Sequence, residues 1–516
     1  MPDFSTAPRG ADYFLMRAVV LRSLGAVYFV AFLILVRQAL PLIGSHGLLP
    51  LGAYLDLVAR HFEPARAAWN VPTIFWLGSS DAVIEAASWL GLMLATLAVF
   101  GVANAPIFAA LWVLYLSFVQ GGQVFYGYGW EMLLCEAGFL AMFFAPAWRP
   151  RLFAPTEPPP LLLVVLFRWL TFRVMFGAGL IKLRGDGCWA ELTCLDFHYE
   201  TQPNPGPLSP YFHFAPRFTH TAGVLVNHLA ELVLPFGVFG PRRVRLVAGT
   251  IIVGFQVLII LSGNLSFLNW LTIVVALACF DDRALERLVS AAKRVELATL
   301  REAVLRASQS RRIALVALGI VIGLLSLGPI VNLLSPRQRM NASFDPLGLV
   351  NTYGAFGSVG RVRHEVVLEG TSSAVPDERA EWREYEFPCK PGDVRRAPCL
   401  VTPYHHRLDW QLWFAALSDF EREPWIVHLA YKLLRGDRAI APLIARDPFP
   451  EAPPKYVRAL LYRYRFAPLG ERGVYWRREL ESEYLRPLSL EHPDFLRFLG
   501  QYGWLDRAPA LRAPSQ

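Results

Sequence analysis

The sequence predicts a polytopic α-helical membrane bundle of about nine transmembrane helices, followed by an extracytoplasmic α+β or β-rich domain. Three observations lead to this fold class. Of the 516 residues, 54% are hydrophobic and 18% are charged, whereas soluble domains carry roughly 25% charged residues. Apolar runs long enough to cross roughly 30 Å of hydrocarbon recur as far as residue 334. Beyond that point the composition becomes that of a domain exposed to water.

Nine apolar runs define a predicted membrane domain over 1–334. They are 18–36, 84–101, 106–119, 131–146, 160–181, 222–240, 244–262, 265–280 and 313–334. The first run follows Arg17, is long enough to span, and has no small-residue cleavage site after it. We therefore interpret it as a transmembrane helix and not as a signal peptide.

Basic residues predict the orientation of the bundle. They occur at 9 and 17, at 149 and 151, at 242, 243 and 245, and eight times within the loop 281–312. Lys and Arg collect on cytoplasmic loops, so the N-terminus and the basic loop 281–312 are predicted to be cytoplasmic. The outer loop 182–221 and everything after residue 334 then lie outside the cytoplasm. This distribution also explains the net charge of +8, and no nucleic-acid partner is predicted.

The segment 335–516 is predicted to be a separate extracytoplasmic domain. Alternation at 362–368 and the Pro391-Gly392 turn favour strands. The stretch 456–466 has a pattern typical of either a strand or a helix, and 508–516 is predicted to be a disordered tail. A membrane bundle followed by a small outer domain is the architecture we expect.

The six cysteines divide according to this topology. Cys135 and Cys279 lie in predicted helices, where a thiol behaves as a small hydrophobic group. The other four lie outside, where disulfides persist. Cys188–Cys194 with Cys389–Cys399 is the simplest pairing, and cross-pairing between the outer loop and the C-terminal domain is the alternative. Neither local pair has the C-x-x-C spacing of redox motifs.

The outer loop carries a dense polar cluster. Its members are Arg184, Asp186, Asp196, His198, Tyr199 and Glu200, and Asn264 and Asn269 are predicted to lie near the same membrane face. The His, Asp and Glu spacings match no metal motif such as H-E-x-x-H, so no metal and no cofactor are predicted. We interpret the cluster as a surface that docks a client protein or the C-terminal domain.

A second polar cluster lies inside predicted spans. It consists of Arg168, Arg173, Asn227, His228 and Glu231. Charged side chains in the bilayer face the protein interior and a partner, and residues three and four apart share a helix face. We expect Glu231 to pair with Arg168 or Arg173. Either the pair fixes helix register or the cluster forms a functional pocket.

The run PYHHRLDWQLWF at 403–414 combines polar and aromatic side chains. His405, His406, Arg407, Asp409 and Trp410 form either a recognition surface or a packed turn. The sequence contains no G-x-S-x-G elbow, no phosphate-binding P-loop and no G-x-G-x-x-G after a strand. No catalytic residue is predicted.

Several blocks together closely resemble one known family. They are RVMFGAGLIKLRGDGCWAELTCLDFHYETQPNPGPLSPYFH at 173–213, SGNLSFLNWLTIVVALACFDD at 262–282, CKPGD at 389–393, PYHHRLDWQLWFAAL at 403–417, DPFPEAPPKYVRALLYRYRF at 447–466 and LIGSHGLLP at 42–50. They resemble the lipase maturation factor family, and they extend over most of the chain after about residue 160.

The resemblance implies a non-catalytic membrane protein that assists the folding and assembly of secreted lipases. In animal members the compartment is the endoplasmic reticulum, and the C-terminal domain lies in its lumen. Only five of the 50 basic residues here are lysine, which indicates a GC-rich, bacterial genome and hence an inner-membrane protein facing the periplasm. The alternative is a membrane-embedded enzyme or transporter that uses a pocket around Arg168, Arg173, His228 and Glu231.

Overall fold

The computed structural model describes residues 10–148, 157–302 and 308–505. These residues form 21 α-helices, several 3-10 turns and one four-stranded antiparallel sheet. The helices before the outer loop are α1 (Phe14–Ile43), α2 (Leu51–His61), α3 (Pro64–Asn70), α4 (Asp81–Val99), α5 (Ala105–Gly121), α6 (Gly129–Phe144) and α7 (Leu161–Arg184). The next are α8 (Gly187–Ala190), α9 (Leu195–Thr201), α10 (Ser209–His213), α11 (Arg217–His228), α12 (Leu234–Gly237), α13 (Arg242–Ser262) and α14 (Leu268–Ala276).

The chain continues through α15 (Asp282–Leu285), α16 (Ala291–Glu302), α17 (Gln309–Leu325) and α18 (Leu327–Leu334). The strands are β1 (Arg363–Thr371), β2 (Arg383–Glu384), β3 (Tyr456–Phe466) and β4 (Trp476–Leu488). Between and after them lie α19 (Arg407–Ala415), α20 (Trp425–Leu434) and α21 (Pro493–Gln501).

Five helical segments of the described chain are long and apolar enough to cross a membrane. They are Phe14–Ile43, Asp81–Val99, Leu161–Arg184, Arg242–Ser262 and Gln309–Leu334. Each coincides with one of the predicted spans. The protein is therefore a multi-pass membrane protein with five candidate spans by length and composition.

The other four predicted spans are helical but shorter. Helices α5 and α6 have 17 and 16 residues, and α14 has 9. The predicted span 222–240 falls on α11, on a π-helical turn at Leu229–Val233 and on α12, which follow one another without a gap and end at Gly237. Pro235 lacks the backbone N–H that an α-helix uses, and the change to π-helical geometry comes just before it.

Helix α1 lies at the centre of the bundle and packs along α4. Small residues allow the two backbones to approach closely, as is common between membrane helices. A Cβ on Gly91 would lie 2.1 Å from the ring of Phe32, and a Cβ on Gly25 would lie 2.8 Å from Cβ of Ala98. Tyr115 of α5 completes this contact, with its ring 5.6 Å from that of Phe32.

The C-terminal region is built on a sheet with strand order β2-β1-β3-β4, all neighbours antiparallel. The strand predicted at 362–368 is confirmed as β1, and 456–466 adopts the strand of its two alternatives. Helix α20 is apolar enough to resemble a short span, but every residue in it is buried, so it is a core helix of this region. The predicted tail 508–516 lies outside the described residues.

Candidate functional site

The outer loop begins where α7 ends and folds back on itself at once. Cys188 and Cys194 lie at disulfide distance, with Cα atoms 4.8 Å apart, and Cys389 and Cys399 are 5.5 Å apart. Both pairs are the local ones, so the cross-pairing alternative does not occur. Cys188 and Cys194 are buried together with Trp189, so this cysteine pair is part of a small apolar core.

Asp186 joins the loop to the segment that leads into β1. Its carboxylate accepts hydrogen bonds from Cys188 N at 3.1 Å and from both terminal nitrogens of Arg361 at 2.9 and 3.1 Å. The hydrogen bonds from Arg361 lower the pKa of Asp186 below its usual range. The backbone N of Asp186 also donates to Gly357 O at 2.8 Å. Asp186 thus links the outer loop to the segment that leads into β1.

The other acids and the arginine of the loop are also engaged. Asp196 Oδ1 lies 2.8 Å from His220 Nδ1. Glu200 Oε1 accepts a hydrogen bond from the backbone N of Phe466, the last residue of β3, at 2.6 Å. Arg184 donates to Gln338 Oε1 at 2.8 Å. The loop cluster predicted as a docking surface therefore makes contacts within the chain.

Asn264 connects the membrane bundle to the second cysteine pair. Its amide nitrogen donates to Cys399 O at 2.8 Å, and its oxygen accepts from the backbone nitrogens of Val401 and Thr402 at 3.0 and 3.1 Å. Asn269, five residues further on and inside α14, donates instead to Gln256 Oε1 at 2.7 Å. Asn264 thus binds the C-terminal region, whereas Asn269 binds within the bundle.

The predicted recognition surface at 405–410 is a buried junction between the C-terminal region and the bundle. His405, Arg407 and Asp409 are 0% exposed and Trp410 is 4% exposed; His406 is half-buried. His405 Nδ1 lies 2.7 Å from Ser266 Oγ. Asp409 accepts from the backbone nitrogens of Cys389 and Lys390 at 2.6 and 2.8 Å. The packed-turn alternative describes this segment, because most of its side chains are buried and several of their polar groups bond within the protein.

Arg407 and Glu131 form the central contact of this junction. Arg407 Nη1 lies 2.7 Å from Glu131 Oε1, and both side chains are 0% exposed. Glu131 also accepts from Trp130 Nε1 at 2.9 Å and from the Tyr115 hydroxyl. The guanidinium carbon lies 3.7 Å from the centre of the Tyr126 ring. A buried charge from the C-terminal region is thus neutralised by an acid at the start of α6.

The predicted pairing of Glu231 with Arg168 or Arg173 is wrong, because both arginines have other partners. Arg173 forms a buried ion pair with Glu136, and Glu136 also accepts from the Tyr353 hydroxyl at 2.7 Å. Arg168 donates to Ala278 O at 2.8 Å and to the Tyr13 hydroxyl at 3.1 Å. Neither arginine reaches Glu231, because acids on α6 and a carbonyl near the end of α14 lie closer to them.

Glu231 pairs with Lys182 at the C-terminal end of α7. Lys182 Nζ lies 2.7 Å from both Glu231 oxygens and 2.8 Å from Asn227 Oδ1. Asn227 in turn donates to Glu231 Oε2 at 3.0 Å. His228 is not part of this group of contacts; its Nε2 lies 3.0 Å from Trp189 O. The predicted cluster is therefore divided among four separate contacts, because Arg168, Arg173, His228 and the Asn227–Glu231 pair each have different partners.

A cavity of about 590 Å³ lies beside the Lys182–Glu231 pair. It is partly open, and its walls come from the outer loop, from α7, α11, α13 and α14, from the segment 353–358 and from α19. Three of the predicted loop residues line it, namely His198, Tyr199 and Asn269, together with Trp410 of the junction. Among the described residues, no group of three or more His, Cys, Asp or Glu side chains has the arrangement of a metal site.

His198 predicts a pH dependence of stability. Burial, together with the positive charge of Lys182, lowers the pKa of His198 from 6.5 to about 4. Between these values the unfolded histidine binds a proton and the folded one does not, so its contribution is complete above pH 6.5 and is lost as the pH falls toward 4. We expect the melting temperature of the purified protein to fall between pH 7 and pH 5.

The matched measurement uses His198→Asn. The melting temperature of this variant should fall less over the same pH interval than that of the wild type. At pH 7 the variant should be less stable than the wild type, because the contact between the His198 and Phe356 rings is lost. His405 and His406 also have lowered pKa values because they are buried, so part of the dependence remains. An unchanged pH slope in the variant would show that His198 does not contribute.

The functional residues that the sequence analysis missed are mainly the buried partners. Glu131 neutralises Arg407, Glu136 neutralises Arg173, and Lys182 neutralises Glu231. All three stand in or beside predicted spans, where an ionisable residue by itself signals an interior partner. That signal identifies the residues, but not which charge each one meets.

Comparison with known proteins agrees with this architecture. A family profile described as the lipase maturation factor transmembrane domain matches residues 15–287, and one described as the lipase maturation factor C-terminal domain matches 349–486. Lipase maturation factor 1 of Bos taurus is 48% identical over 508 residues, which cover 93% of this chain and 90% of the relative.

Two further relatives extend the match. Lipase maturation factor 1 of Homo sapiens is 44% identical over 522 residues, covering 95% of this chain and 90% of the relative. Lipase maturation factor 2 of Homo sapiens is 31% identical over 615 residues, covering 96% and 85%. No solved structure matches the chain. The two profiles occur in chain order and the relatives align nearly end to end, and the chain therefore belongs to the lipase maturation factor family.

Proposed function

We propose that this protein is a membrane-embedded maturation factor that helps a secreted, lipase-like client to fold and assemble, without catalysing a reaction of its own. The observation that carries the proposal is the alignment with lipase maturation factor 1 of Bos taurus over 93% of this chain and 90% of the relative. The buried junction between bundle and C-terminal region adds support, since it holds both parts in one fixed arrangement toward a client.

The client-binding surface that we propose is the turn between α10 and α11 in the outer loop. The acids and Asn264 of the predicted docking residues are occupied by contacts within the chain. Large apolar side chains beside them are exposed, with Tyr211 62% and Phe218 73% exposed, and Phe214 42%. Contiguous exposed apolar groups are typical of protein interaction sites. The polar cluster then positions this turn, and the turn contacts the client.

The functional test is rescue of client activity in cells that lack their own lipase maturation factor 1. Full-length protein should restore secretion of active lipase, whereas an empty vector leaves lipase that is synthesised but inactive or aggregated. Tyr211→Ser/Phe218→Ser should reduce rescue severalfold at unchanged abundance, because it removes exposed apolar area without disturbing the core. Val375→Ser, at a 60% exposed site in the C-terminal region, is the control. No rescue by the full-length protein would contradict the proposed function.

We also propose the membrane arrangement. The domain limits are 1–334 and 335–516, with nine spans, the N-terminus and the loop 281–312 in the cytoplasm, and the C-terminal domain outside. In a bacterium the membrane is the inner membrane and the outer compartment is the periplasm. The distribution of Lys and Arg supports this orientation, and the two cysteine pairs at disulfide distance support an oxidising compartment for the loop and the C-terminal region.

Reporter fusions test this orientation. Alkaline phosphatase, which is active only outside the cytoplasm, should be active when fused after Leu505 and inactive when fused after Glu302. A fluorescent protein that matures only in the cytoplasm should give the opposite pattern, because the two sites lie on opposite sides of the last span. The same reporter result at both sites would contradict the proposed topology.

A further inference from the structure

The cavity beside the Lys182–Glu231 pair has mainly apolar walls. Its lining includes Val174, Met175, Ala178, Phe255, Ile259, Leu265, Leu268, Trp413 and Phe414. A volume of about 590 Å³ lies within the roughly 300–1,000 Å³ typical of small-molecule sites. The volume and the lining suit an apolar group.

The charges at this cavity are balanced. Lys182 is held by Glu231 and Asn227 at 2.7–2.8 Å, and Gln256 and Asn269 are hydrogen-bonded to each other at 2.7 Å. A ligand charge would therefore find no opposite charge free to meet it, and desolvating an unpaired ion is costly. This balance favours an uncharged ligand.

Two polar side chains on the wall are still available for hydrogen bonds. His198 and Tyr199 line the cavity and are only half-buried. The His198 ring contacts Phe356 and the Tyr199 ring stacks on Phe212. Among the described residues, neither the imidazole nitrogens of His198 nor the Tyr199 hydroxyl has a hydrogen-bond partner. A neutral imidazole and a phenol can each donate to or accept from a hydroxyl or ester group.

The cavity is partly open, and two residues of its wall are themselves exposed. Val226 of α11 and Leu258 of α13 line it, and they are 40% and 50% exposed. Helix α13 is a candidate membrane span, so exposed side chains along it meet acyl chains. An opening between α11 and α13 would lead from the hydrocarbon to the cavity.

We propose that this cavity binds one uncharged single-chain amphiphile, of the monoacylglycerol type, which enters from the bilayer. The acyl chain lies along Val174, Ala178 and Phe255, and the glycerol hydroxyl or ester group is hydrogen-bonded by His198 and Tyr199. This site goes beyond the client-binding role, and it involves a different surface from Tyr211 and Phe218.

The test uses full-length protein reconstituted into phosphatidylcholine bilayers free of detergent, and a photoreactive monoacylglycerol as the probe. Wild-type protein should be labelled, and unlabelled monoolein should compete. Oleate and lysophosphatidylglycerol carry the same chain with a negative charge, and they should compete at least about tenfold less well. Equal competition by oleate would overturn the assignment of an uncharged ligand, and absence of labelling would overturn the site.

Two variants locate the label. Ala178→Phe fills the cavity and should abolish labelling, whereas Val165→Phe, on a 45% exposed position of the same helix, should not. Tyr199→Phe keeps the ring and removes one hydrogen bond, so monoolein should compete about three- to tenfold less well. If Ala178→Phe does not accumulate as folded protein, Tyr199→Phe decides: unchanged competition overturns the proposal. Because no client is present, the result is independent of the lipase rescue experiment.

Discussion

Arg407→Ala is expected to lower the free energy of unfolding by about 3–5 kcal/mol, because it leaves Glu131 buried without its cation. Both side chains of the pair are 0% exposed and 2.7 Å apart. The substitution also removes the hydrogen bond from Arg407 Nη1 to Phe125 O at 2.7 Å and the stacking of the guanidinium on the Tyr126 ring. The variant should accumulate poorly and melt at a lower temperature than the wild type.

Limited trypsin digestion distinguishes opening of the junction from general unfolding. In Arg407→Ala, cleavage after Arg337 and Arg339, in the segment that connects the bundle to the C-terminal region, should be accelerated first. Arg422→Ala is the control, because its ion pair with Asp419 is 79% and 56% exposed, and exposed pairs contribute about 0–1 kcal/mol. Equal stability of Arg407→Ala and Arg422→Ala would contradict the central role of the buried pair.

A double replacement separates the pair from the packing around it. Arg407→Met with Glu131→Leu removes both charges while keeping most of the volume, so no buried ion remains unpaired. We expect the double variant to recover a substantial part of the stability that either single variant loses. Failure to recover would show that Arg407 acts mainly through its contacts with Phe125 O and Tyr126.

Glu136→Ala is the second change for which we expect a loss of about 3–5 kcal/mol. Glu136 is the buried partner of Arg173, and it also accepts from the backbone N of Asn351 at 3.0 Å and from the Tyr353 hydroxyl at 2.7 Å. One carboxylate thus ties α6 to α7 and to the segment before β1. Thermal unfolding in detergent measures the loss.

A double-mutant cycle then tests the partner of Arg173 directly. Arg173→Met should couple to Glu136→Leu by about 1–3 kcal/mol, since residues in one ion pair are not additive. Arg173→Met and Glu231→Leu should be additive within about 0.5 kcal/mol, because Glu231 binds Lys182 instead. Coupling to Glu231 in place of Glu136 would support the pairing predicted from the sequence and contradict the structure.

The transmembrane helices illustrate what periodicity and length can predict. All nine apolar runs are helical, and five are long enough to span, because an apolar run in a bilayer must satisfy its backbone within a helix. The length of the remaining four was less predictable. In the run 222–240 the helix contains a π-helical turn just before Pro235, and a hydropathy pattern does not report such a change of helix type.

The polar sites illustrate the opposite case. The sequence correctly indicated that Arg173 and Glu231 need interior partners, since an unpaired charge in hydrocarbon is costly. It predicted that Glu231 pairs with Arg168 or Arg173, because these arginines lie in the preceding predicted span. The actual partners of Arg173 and Glu231, namely Glu136 and Lys182, stand 37 and 49 residues away in sequence. Which acid meets which base depends on how helices are rotated and how deep each one lies.

The sequence by itself determined the class of protein, the positions of the helices and of β1, the local cysteine pairs as the simplest choice, and the family resemblance. Those features depend on composition, on periodicity or on residues close together in the chain. Only the tertiary structure decided that His405, Arg407 and Asp409 form a buried junction and not a surface. Burial is a property of what packs against a segment, and the partners of His405 and Arg407, in the turn before α14 and in α6, lie more than a hundred positions earlier in the chain.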